Sequence, residues 1–264
     1  MPSGKTRRED APPRAGQSLH DEYAARHRQW IAQRRRAAAL SATWWVPALA
    51  VLCFIVGETT HFGMFGALVF VLATVAVCDV MFRRPDSLVR VRVRADAEQD
   101  TGKVLEVARI RGGEIALHDR MFVAGSEDSF EVEHLVMSVR GVFLIDSKQW
   151  SGRKIQFIGG ELYIDQIDQA PMFKEFVEHA QAIGAALTAA GTHDENVGVV
   201  TVNPMLVVHS GTVVGTPRTH HGVIILTPPQ LAGTLRAPAH RWTIETVRLM
   251  AEAAEVMLLR KGGR

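Results

Sequence analysis

Two uncharged apolar runs in the first third of the chain constrain its fold more than any other feature. The first reads LSATWWVPALAVLCFIV from Leu40 to Val56, and the second reads FGMFGALVFVLATVAVC from Phe62 to Cys78, with apolar character continuing to Phe82. About 17 to 25 apolar residues in a helix suffice to cross the hydrocarbon core of a bilayer. A short polar stretch separates the runs, so the sequence predicts a two-helix transmembrane hairpin over residues 37–84.

Positive charge flanks the two runs and is absent between them, where the only ionisable residues are Glu58 and His61. The flanking arginines are Arg26, Arg28, Arg34, Arg35, Arg36, Arg83 and Arg84. Because cytoplasmic flanks carry the excess of arginine and lysine, both termini are expected in the cytoplasm. The prediction is thus a multi-pass protein of the plasma (inner) membrane with the lipid bilayer as a partner. A buried helical hairpin of a soluble protein is the alternative.

The segments on either side of the runs differ in composition. Residues 1–36 form a basic cytoplasmic segment that begins with a disordered stretch over 1–17 and continues in a helix over 18–36. The arginines of that helix are explained by topology and lipid contact, and nucleic-acid binding is the alternative. The formal charge of +2 is too small to indicate nucleic-acid binding without a local site. Residues 85–264 form the predicted soluble domain, expected to fold alone from about Leu88.

The soluble domain alternates strand-like and helix-like segments. Alternating Val and Arg residues from Leu88 to Arg94 precede a helix predicted over 97–111. Strands are predicted at 115–123, 130–139, 142–148, 154–158, 161–164, 197–208 and 223–226, and further helices at 172–190, 229–235 and 243–260. This order predicts an α/β sandwich in which a central mixed sheet lies between helices, rather than a doubly wound sheet.

Three charged residues on neighbouring strands are the best candidates for chemistry. A tight turn that pairs Val139 with Val142 sets Glu133 opposite Lys148. Side chains alternate between the two faces of a strand, so Asp146 shares a face with Lys148. Glu133, Asp146 and Lys148 are therefore expected to converge on one side of the sheet. A three-residue loop would slip the register by one residue and disperse them.

This trio suits metal-assisted hydrolysis of a phosphodiester. Carboxylate oxygens of Glu133 and Asp146 are the ligands that Mg²⁺ or Mn²⁺ prefers, and such an ion activates water. Lys148 would orient that water or neutralise charge on the phosphate. An ordinary surface salt bridge between strand-end charges is the alternative, because an Asp-x-Lys spacing arises often by chance.

The stretch VEHLVMSVRGVFLIDSKQWSG, from Val132 to Gly152, resembles the core of the nuclease-related domain (NERD) family. In that family a strand reading I-D-H-L-V-V leads through a glycine turn to V-F-V-I-E-T-K-N-W-x-G. A weaker likeness extends from about residue 97 to 187. The family is regarded as related to the PD-(D/E)xK nucleases. The resemblance implies a restriction-endonuclease-like sandwich, with Glu133 and Asp146 as metal ligands and Lys148 as the catalytic lysine.

The sequence departs from the family pattern on two helices. The first family helix opens with Gly-Glu, whereas Lys103 follows Gly102 here. Glu106, one turn later, is interpreted as a solvent-facing residue, with substitution for the missing acid as the alternative. The later helix usually begins with Asn-Pro and a glutamine, where this chain has Ala170-Pro171 and Lys174. Two functions follow as expectations. One is a membrane-anchored, metal-dependent nuclease acting on nucleic acid, and the other is a catalytically reduced binding or scaffold module at the membrane.

Three further features are interpreted as structural. His134 should point away from Glu133 and be buried and hydrogen-bonded. Trp150 either packs over the end of its strand or stacks on a base. The adjacent pair His220-His221 lies in a predicted solvated loop, because neighbouring residues of a strand cannot both face one metal ion.

Overall fold

The computed structural model of the chain describes residues 14–60, 63–124, 128–151, 153, 155–158, 161–191, 198–210, 218–236 and 242–261. The chain divides into two compact units. One unit combines Met1–His20 with Val93–Arg264, and the other consists of Asp21–Arg92. The candidate chemistry lies entirely in the first of these, which we call the sheet unit.

Both apolar runs of the second unit are helical over their described residues. Helix α1 spans Gln17–Thr60 and helix α2 spans Gly63–Phe82. The predicted transmembrane hairpin is nevertheless not supported, because no helix among the described residues is both long enough and apolar enough to cross a membrane. The first run is not a helix of its own, since it forms the C-terminal part of α1 behind a polar, arginine-rich part. His61 and Phe62, at the predicted turn, lie outside the described residues.

The N-terminal residues that are described belong to the sheet unit. Leu19 is buried, and the Ser18 backbone N–H and hydroxyl donate hydrogen bonds to the two carboxylate oxygens of Asp119 at 3.1 and 2.7 Å. Gly16 adopts φ +69°, and a Cβ added there would lie 2.9 Å from the Ala95 carbonyl oxygen. A fragment that begins at Leu88, as expected from the sequence, would lack this segment. Residues 1–13 lie outside the described residues.

Helix α3 spans Asp86–Gly112 and therefore starts eleven residues before the predicted helix. Pro85 precedes it, and its carbonyl accepts a hydrogen bond from the Leu88 N–H at 3.0 Å. Asp86 places a negative charge in the first turn, where the helix dipole favours it. Each of these features stabilises a helix start that the Val–Arg alternation obscured.

A seven-stranded mixed sheet forms the centre of the sheet unit. Its strands are β1 (Ile115–Ala124), β2 (Asp128–Ser138), β3 (Gly141–Gln149), β7 (Val202–Ser210), β8 (Arg218–His220), β9 (Val223–Leu226) and β10 (Leu259–Arg260), in the order β10-β1-β2-β3-β7-β9-β8. The β3–β7 and β7–β9 pairs are parallel and the others are antiparallel. A separate sheet contains β4 (Ile155–Ile158), β5 (Glu161–Ile164) and β6 (Ile167–Asp168).

Helices cover both faces of the large sheet. They are α4 (Ala170–Gly191), α5 (Pro228–Arg236) and α6 (Ile244–Met257), together with α3. Leu135 and Leu144 share a buried cluster with residues of α4 and α6, whereas Val136 and Phe143 share one with residues of α3 and α5. Neighbouring strand residues thus pack to opposite sides, as the strand period of two requires. The predicted α/β fold, with a mixed central sheet flanked by helices, is confirmed, and it is compatible with a nuclease-like sandwich.

The β2–β3 hairpin closes one step earlier than predicted. Ser138 pairs with Gly141 and Met137 with Val142, so the turn residues are Val139 and Arg140. Gly141 has φ +135°, a conformation that side-chain-bearing residues rarely adopt. The partners are shifted by two residues from the predicted register. An even shift leaves every side chain on its predicted face.

Candidate active site

A cleft of about 390 Å³ lies on the face of the large sheet that α4 covers. Glu133 of β2 and Asp146 and Lys148 of β3 all line it. Continuing the register one step beyond the His134–Ile145 pair sets Glu133 directly opposite Asp146, not opposite Lys148 as predicted. The other lining residues are Arg94, Ser129, Phe130, Glu131, Leu144, Ile145, Met172, Glu175, Phe176 and His179. The three sequence-predicted residues therefore meet in one place.

The Glu133 carboxylate is almost completely buried and has a partner on each oxygen. Arg94 Nη2 donates to Oε1 at 2.8 Å, and the Ser147 backbone N–H donates to Oε2 at 2.8 Å. Burial raises the pKa of Glu133 well above its ordinary range, and the neighbouring Asp146 carboxylate raises it further. Two acidic groups this close favour sharing a proton or a cation. Glu133 is thus held by a half-exposed arginine side chain on one side and by a backbone N–H on the other.

Asp146 and Lys148 form an ion pair at the floor of the cleft. Burial opposes the charge on Lys148, but the attraction of Asp146 and Glu133 outweighs it and raises the pKa of this lysine. Asp146 Oδ1 is buried and accepts no hydrogen bond from an N–H or hydroxyl of the described residues, while the Asp146 carboxylate lies close enough to Glu133 for a proton shared by the two acids to form a hydrogen bond. An unsatisfied buried carboxylate oxygen costs about 1–3 kcal/mol or more, so it requires an explanation. A cation bound between Asp146 and Glu133 would satisfy it, and the donor set fits a hard divalent ion.

Aromatic and positively charged side chains border the carboxylates. The rings of Phe130 and His179 stack with centroids 3.8 Å apart and planes 6° from parallel. Burial lowers the pKa of His179, although the nearby Glu175 carboxylate opposes this, and the net effect favours the neutral ring. Arg94, about half exposed, reaches into the cleft. A planar surface beside a guanidinium suits a base and its phosphate.

An acid on α3 was missed by sequence analysis. Glu98 is completely buried, with Oε1 accepting a 3.3 Å hydrogen bond from the Gly16 N–H and Oε2 without a partner among the described residues. Burial, reinforced by the charges of Asp119 and Glu131, raises the pKa of Glu98 to about 8. Glu98 raises the pKa of Glu133 electrostatically but does not line the cleft. Glu98 lies five residues before Lys103, the position at which the resemblance places the family's helix acid.

The two α3 positions considered for the family's helix acid, 103 and 106, are both on the surface. Lys103 is exposed and pairs with Asp100 at 2.7 Å, and Glu106 is exposed and pairs with Arg109 at 2.7 Å. The interpretation of Glu106 as solvent-facing is therefore confirmed. The missed signal was the spacing of Arg94, Glu98 and Thr101, which places all three on one face of a helix that begins at Asp86. Because the predicted helix began at residue 97, it did not include Arg94, and the shared face was not recognised.

Two structural interpretations from the sequence are confirmed. His134 is fully buried, and its Nδ1 lies 2.8 Å from His118 Nδ1 on the face opposite Glu133. Trp150 is buried in a cluster with Leu162 and Phe173, so it packs in the core and does not offer a face to a base.

The interpretation of His220-His221 as a solvated loop is wrong for His220, and it is confirmed for His221, which is exposed in a turn. His220 is the last residue of β8, and its side chain is only 10% exposed. His221 follows in a turn with φ +46°. The left-handed backbone breaks the strand alternation that was expected to separate the two rings.

The fold and cleft together define an α/β protein with a mixed central sheet flanked by helices, compatible with a nuclease-like sandwich, in which adjacent strands present a carboxylate pair and a lysine. Residues 94–209 match the family pattern of the Nuclease-related domain (NERD). This part of the chain is therefore similar to a nuclease-related domain, and it includes β1 to β3, α4 and nearly all of β7. No curated protein and no solved structure matches the chain significantly.

Proposed function

We propose that the cleft hydrolyses phosphodiester bonds of nucleic acid with a divalent cation, Mg²⁺ or Mn²⁺. The pair of carboxylates carries this proposal: Asp146 Oδ1 is buried beside Glu133 and Lys148 and accepts no hydrogen bond from an N–H of the described residues. The family match to a nuclease-related domain supports a nuclease-like activity. A divalent ion held by Glu133 and Asp146 would supply an acidified water and neutralise charge on the phosphate.

The residues around the carboxylates have distinct proposed roles. Lys148, kept protonated by Asp146 and Glu133, donates hydrogen bonds to the attacking water or to a phosphate oxygen. Arg94, half exposed at the mouth of the cleft, leaves Glu133 and binds a substrate phosphate with its planar guanidinium. The stacked rings of Phe130 and His179 contact a base.

The test is cleavage of labelled DNA and RNA by the purified full chain with Mg²⁺ or Mn²⁺, and its loss on adding EDTA. Asp146→Asn keeps the side-chain shape and removes one negative ligand, so it should abolish cleavage. Lys148→Ala should reduce the rate and leave metal binding in place, because the lysine acts on water or phosphate.

The matched control is Lys103→Ala, which removes an exposed lysine that also pairs with an aspartate. Exposed pairs contribute at most about 1 kcal/mol, so this variant should cleave like the parent protein. Equal activity of Asp146→Asn, Lys148→Ala and Lys103→Ala would show that the trio is an ordinary salt bridge.

A binding or scaffold module is the second candidate function. The observation that favours it is the occupation of both Glu133 oxygens by Arg94 and Ser147, which leaves Asp146 as the more available ligand. A single carboxylate holds a divalent ion weakly. Binding of nucleic acid without cleavage, in the presence of Mg²⁺ and Mn²⁺, would establish this function and exclude the nuclease.

Membrane attachment, with the sheet unit on the cytoplasmic side, is a separate proposal. It is supported by the arginine-rich flanks of the apolar runs and by large apolar side chains exposed on α1 and α2, including Trp44 at 81%, Phe54 at 69% and Leu72 at 58%. Exposed apolar surface of this kind requires a lipid or protein cover. The full chain should co-sediment with anionic vesicles, and reporters active only in the cytoplasm should work at both termini. The proposal is contradicted if the chain stays in the supernatant when the vesicles are pelleted. It is also contradicted if a reporter that works only outside the cytoplasm is active at either terminus.

A further inference from the structure

A second group of metal-ligand side chains lies outside the proposed catalytic cleft. Glu161 Oε2 is 2.6 Å from His221 Nε2 and 3.5 Å from His220 Nε2. One ligand atom from each of the three side chains lies within 4.8 Å of both others. A tetrahedral ion with bonds of about 2.0–2.2 Å separates its ligand atoms by about 3.4 Å, so small side-chain adjustments suffice to bind one.

The backbone explains how two adjacent histidines converge. His220 ends β8, while His221 with φ +46° and Gly222 with φ +83° form the turn into β9. The two rings meet at a centroid distance of 4.3 Å and an angle of 70°. Glu161 comes from β5 of the small sheet. The three ligands therefore join the edge of the large sheet to the small sheet.

We propose that Glu161, His220 and His221 bind a transition-metal ion, with Zn²⁺ the best match to two imidazoles and one carboxylate. Mg²⁺ is disfavoured because it prefers oxygen ligands, whereas imidazole nitrogen suits zinc. Three protein ligands leave a fourth position for water or another group. The site shares no residue with the cleft, so it is independent of the proposed phosphodiester hydrolysis.

The packing around the site indicates a structural role for the ion. The Phe173 ring of α4 contacts the His220 ring edge-on at a centroid distance of 4.9 Å. The preceding residue, Met172, lines the catalytic cleft. A metal ion that fixes His220 would thus fix the first turn of α4 beside the cleft. Without it, a 2.6 Å hydrogen bond between His221 Nε2 and Glu161 Oε2 links the small sheet to the turn after β8.

The experiment is calorimetric titration of the full chain with Zn²⁺, paired with the absorption spectrum of the Co²⁺-loaded protein. We expect one Zn²⁺ per chain, visible bands of tetrahedral Co²⁺ and a higher melting temperature with Zn²⁺. Glu161→Gln and His221→Ala, both partly exposed, should weaken zinc binding more than about 100-fold, since even changes to the partners of ligands cost 10–100-fold. Either variant should lose the cobalt bands.

Two control variants separate this site from others. His27→Ala removes a histidine of the other unit and should bind zinc as the parent protein does. Asp146→Asn removes a carboxylate of the cleft and should also retain zinc, so loss of nuclease activity and loss of zinc binding are distinguishable. Failure of the parent chain to bind Zn²⁺, or unchanged affinity in both Glu161→Gln and His221→Ala, would overturn the proposal.

Discussion

Arg94 Nη2 lies 2.8 Å from Glu133 Oε1, so a half-exposed guanidinium already holds one of the two carboxylates proposed to bind the divalent ion. The ion and the arginine therefore compete for the same oxygen. In Arg94→Gln the positive charge is gone, and Mg²⁺ should bind several-fold more tightly in calorimetry without nucleic acid. The same variant should raise the KM for nucleic acid, because a phosphate contact is lost. Weaker Mg²⁺ binding would instead show that Arg94 positions Glu133 for the metal.

The raised pKa of Glu98 predicts a pH-dependent loss of stability. Folding moves this pKa from about 4.5 to about 8, so the folded state binds the proton more tightly than the unfolded state. The resulting stabilisation is complete below about pH 4.5, declines as the pH rises, and is lost above about pH 8. Glu98→Gln cannot ionise and should escape the decline.

Melting temperatures at pH 5 and pH 9 measure this effect. The two proteins should melt close together at pH 5, and Glu98→Gln should melt at a higher temperature at pH 9. Glu133 also has a raised pKa, to which Glu98 contributes, so Glu98→Gln reduces the decline that Glu133 causes as well and acts in the same direction. If the difference in melting temperature between the two proteins is the same at pH 5 and pH 9, the pKa of Glu98 is the same in the folded and unfolded states.

Gly102 is required for close packing of the N-terminal segment on α3. A Cβ at this position would lie 2.2 Å from the Ala15 Cβ. Gly102→Ala should therefore destabilise the protein by about 1–3 kcal/mol through overpacking, despite the helix propensity gained. Trypsin should also cut faster after Arg14. Gly233→Ala is the matched control, because nothing lies within 4 Å of its added Cβ, and it should stabilise α5 by up to about 1 kcal/mol.

A buried hydroxyl chain connects β3 to α3. Ser147 Oγ donates to Thr101 Oγ1 at 2.8 Å, and Thr101 Oγ1 lies 2.6 Å from His209 Nε2. Thr101→Val preserves the shape and leaves the Ser147 hydroxyl without its acceptor, which should cost about 1–3 kcal/mol in urea unfolding. Adding Ser147→Ala should recover part of the loss. Strictly additive losses would mean that the two hydroxyls do not interact.

The sequence predicted the fold where local pattern and tertiary packing agree. The strands around Leu135 and Leu144 alternate and have a glycine turn, and both were placed to within two residues. The start of α3 was missed because the Val–Arg alternation before Arg94 masks a helix that the preceding Pro85 permits. The transmembrane prediction relied on apolar length alone, and it is not supported by the described helices.

The sequence predicts the site to the extent that the site depends on which face of its strand each side chain occupies. Glu133, Asp146 and Lys148 share a face under any even shift of the hairpin, so the wrong register still brought them together. Glu98 could not be found this way, because its burial depends on Gly16, eighty-two residues earlier in the chain. The Glu161 and His221 contact likewise depends on a left-handed residue and on two separate sheets, which sequence spacing does not reveal.

The hydrogen bonds from Ser18 to Asp119 cannot form until translation has reached Asp119. The two residues are 101 positions apart, so the hydroxyl leaves the ribosome long before its acceptor exists. At about 5–20 residues per second, this interval is about 5–20 seconds. For most of it the N-terminal segment also lacks its partner Glu98 on α3, which is 82 positions after Gly16, while both apolar runs emerge. A chain that joins its first and later segments in one core therefore completes that core only after most of its first half has been translated.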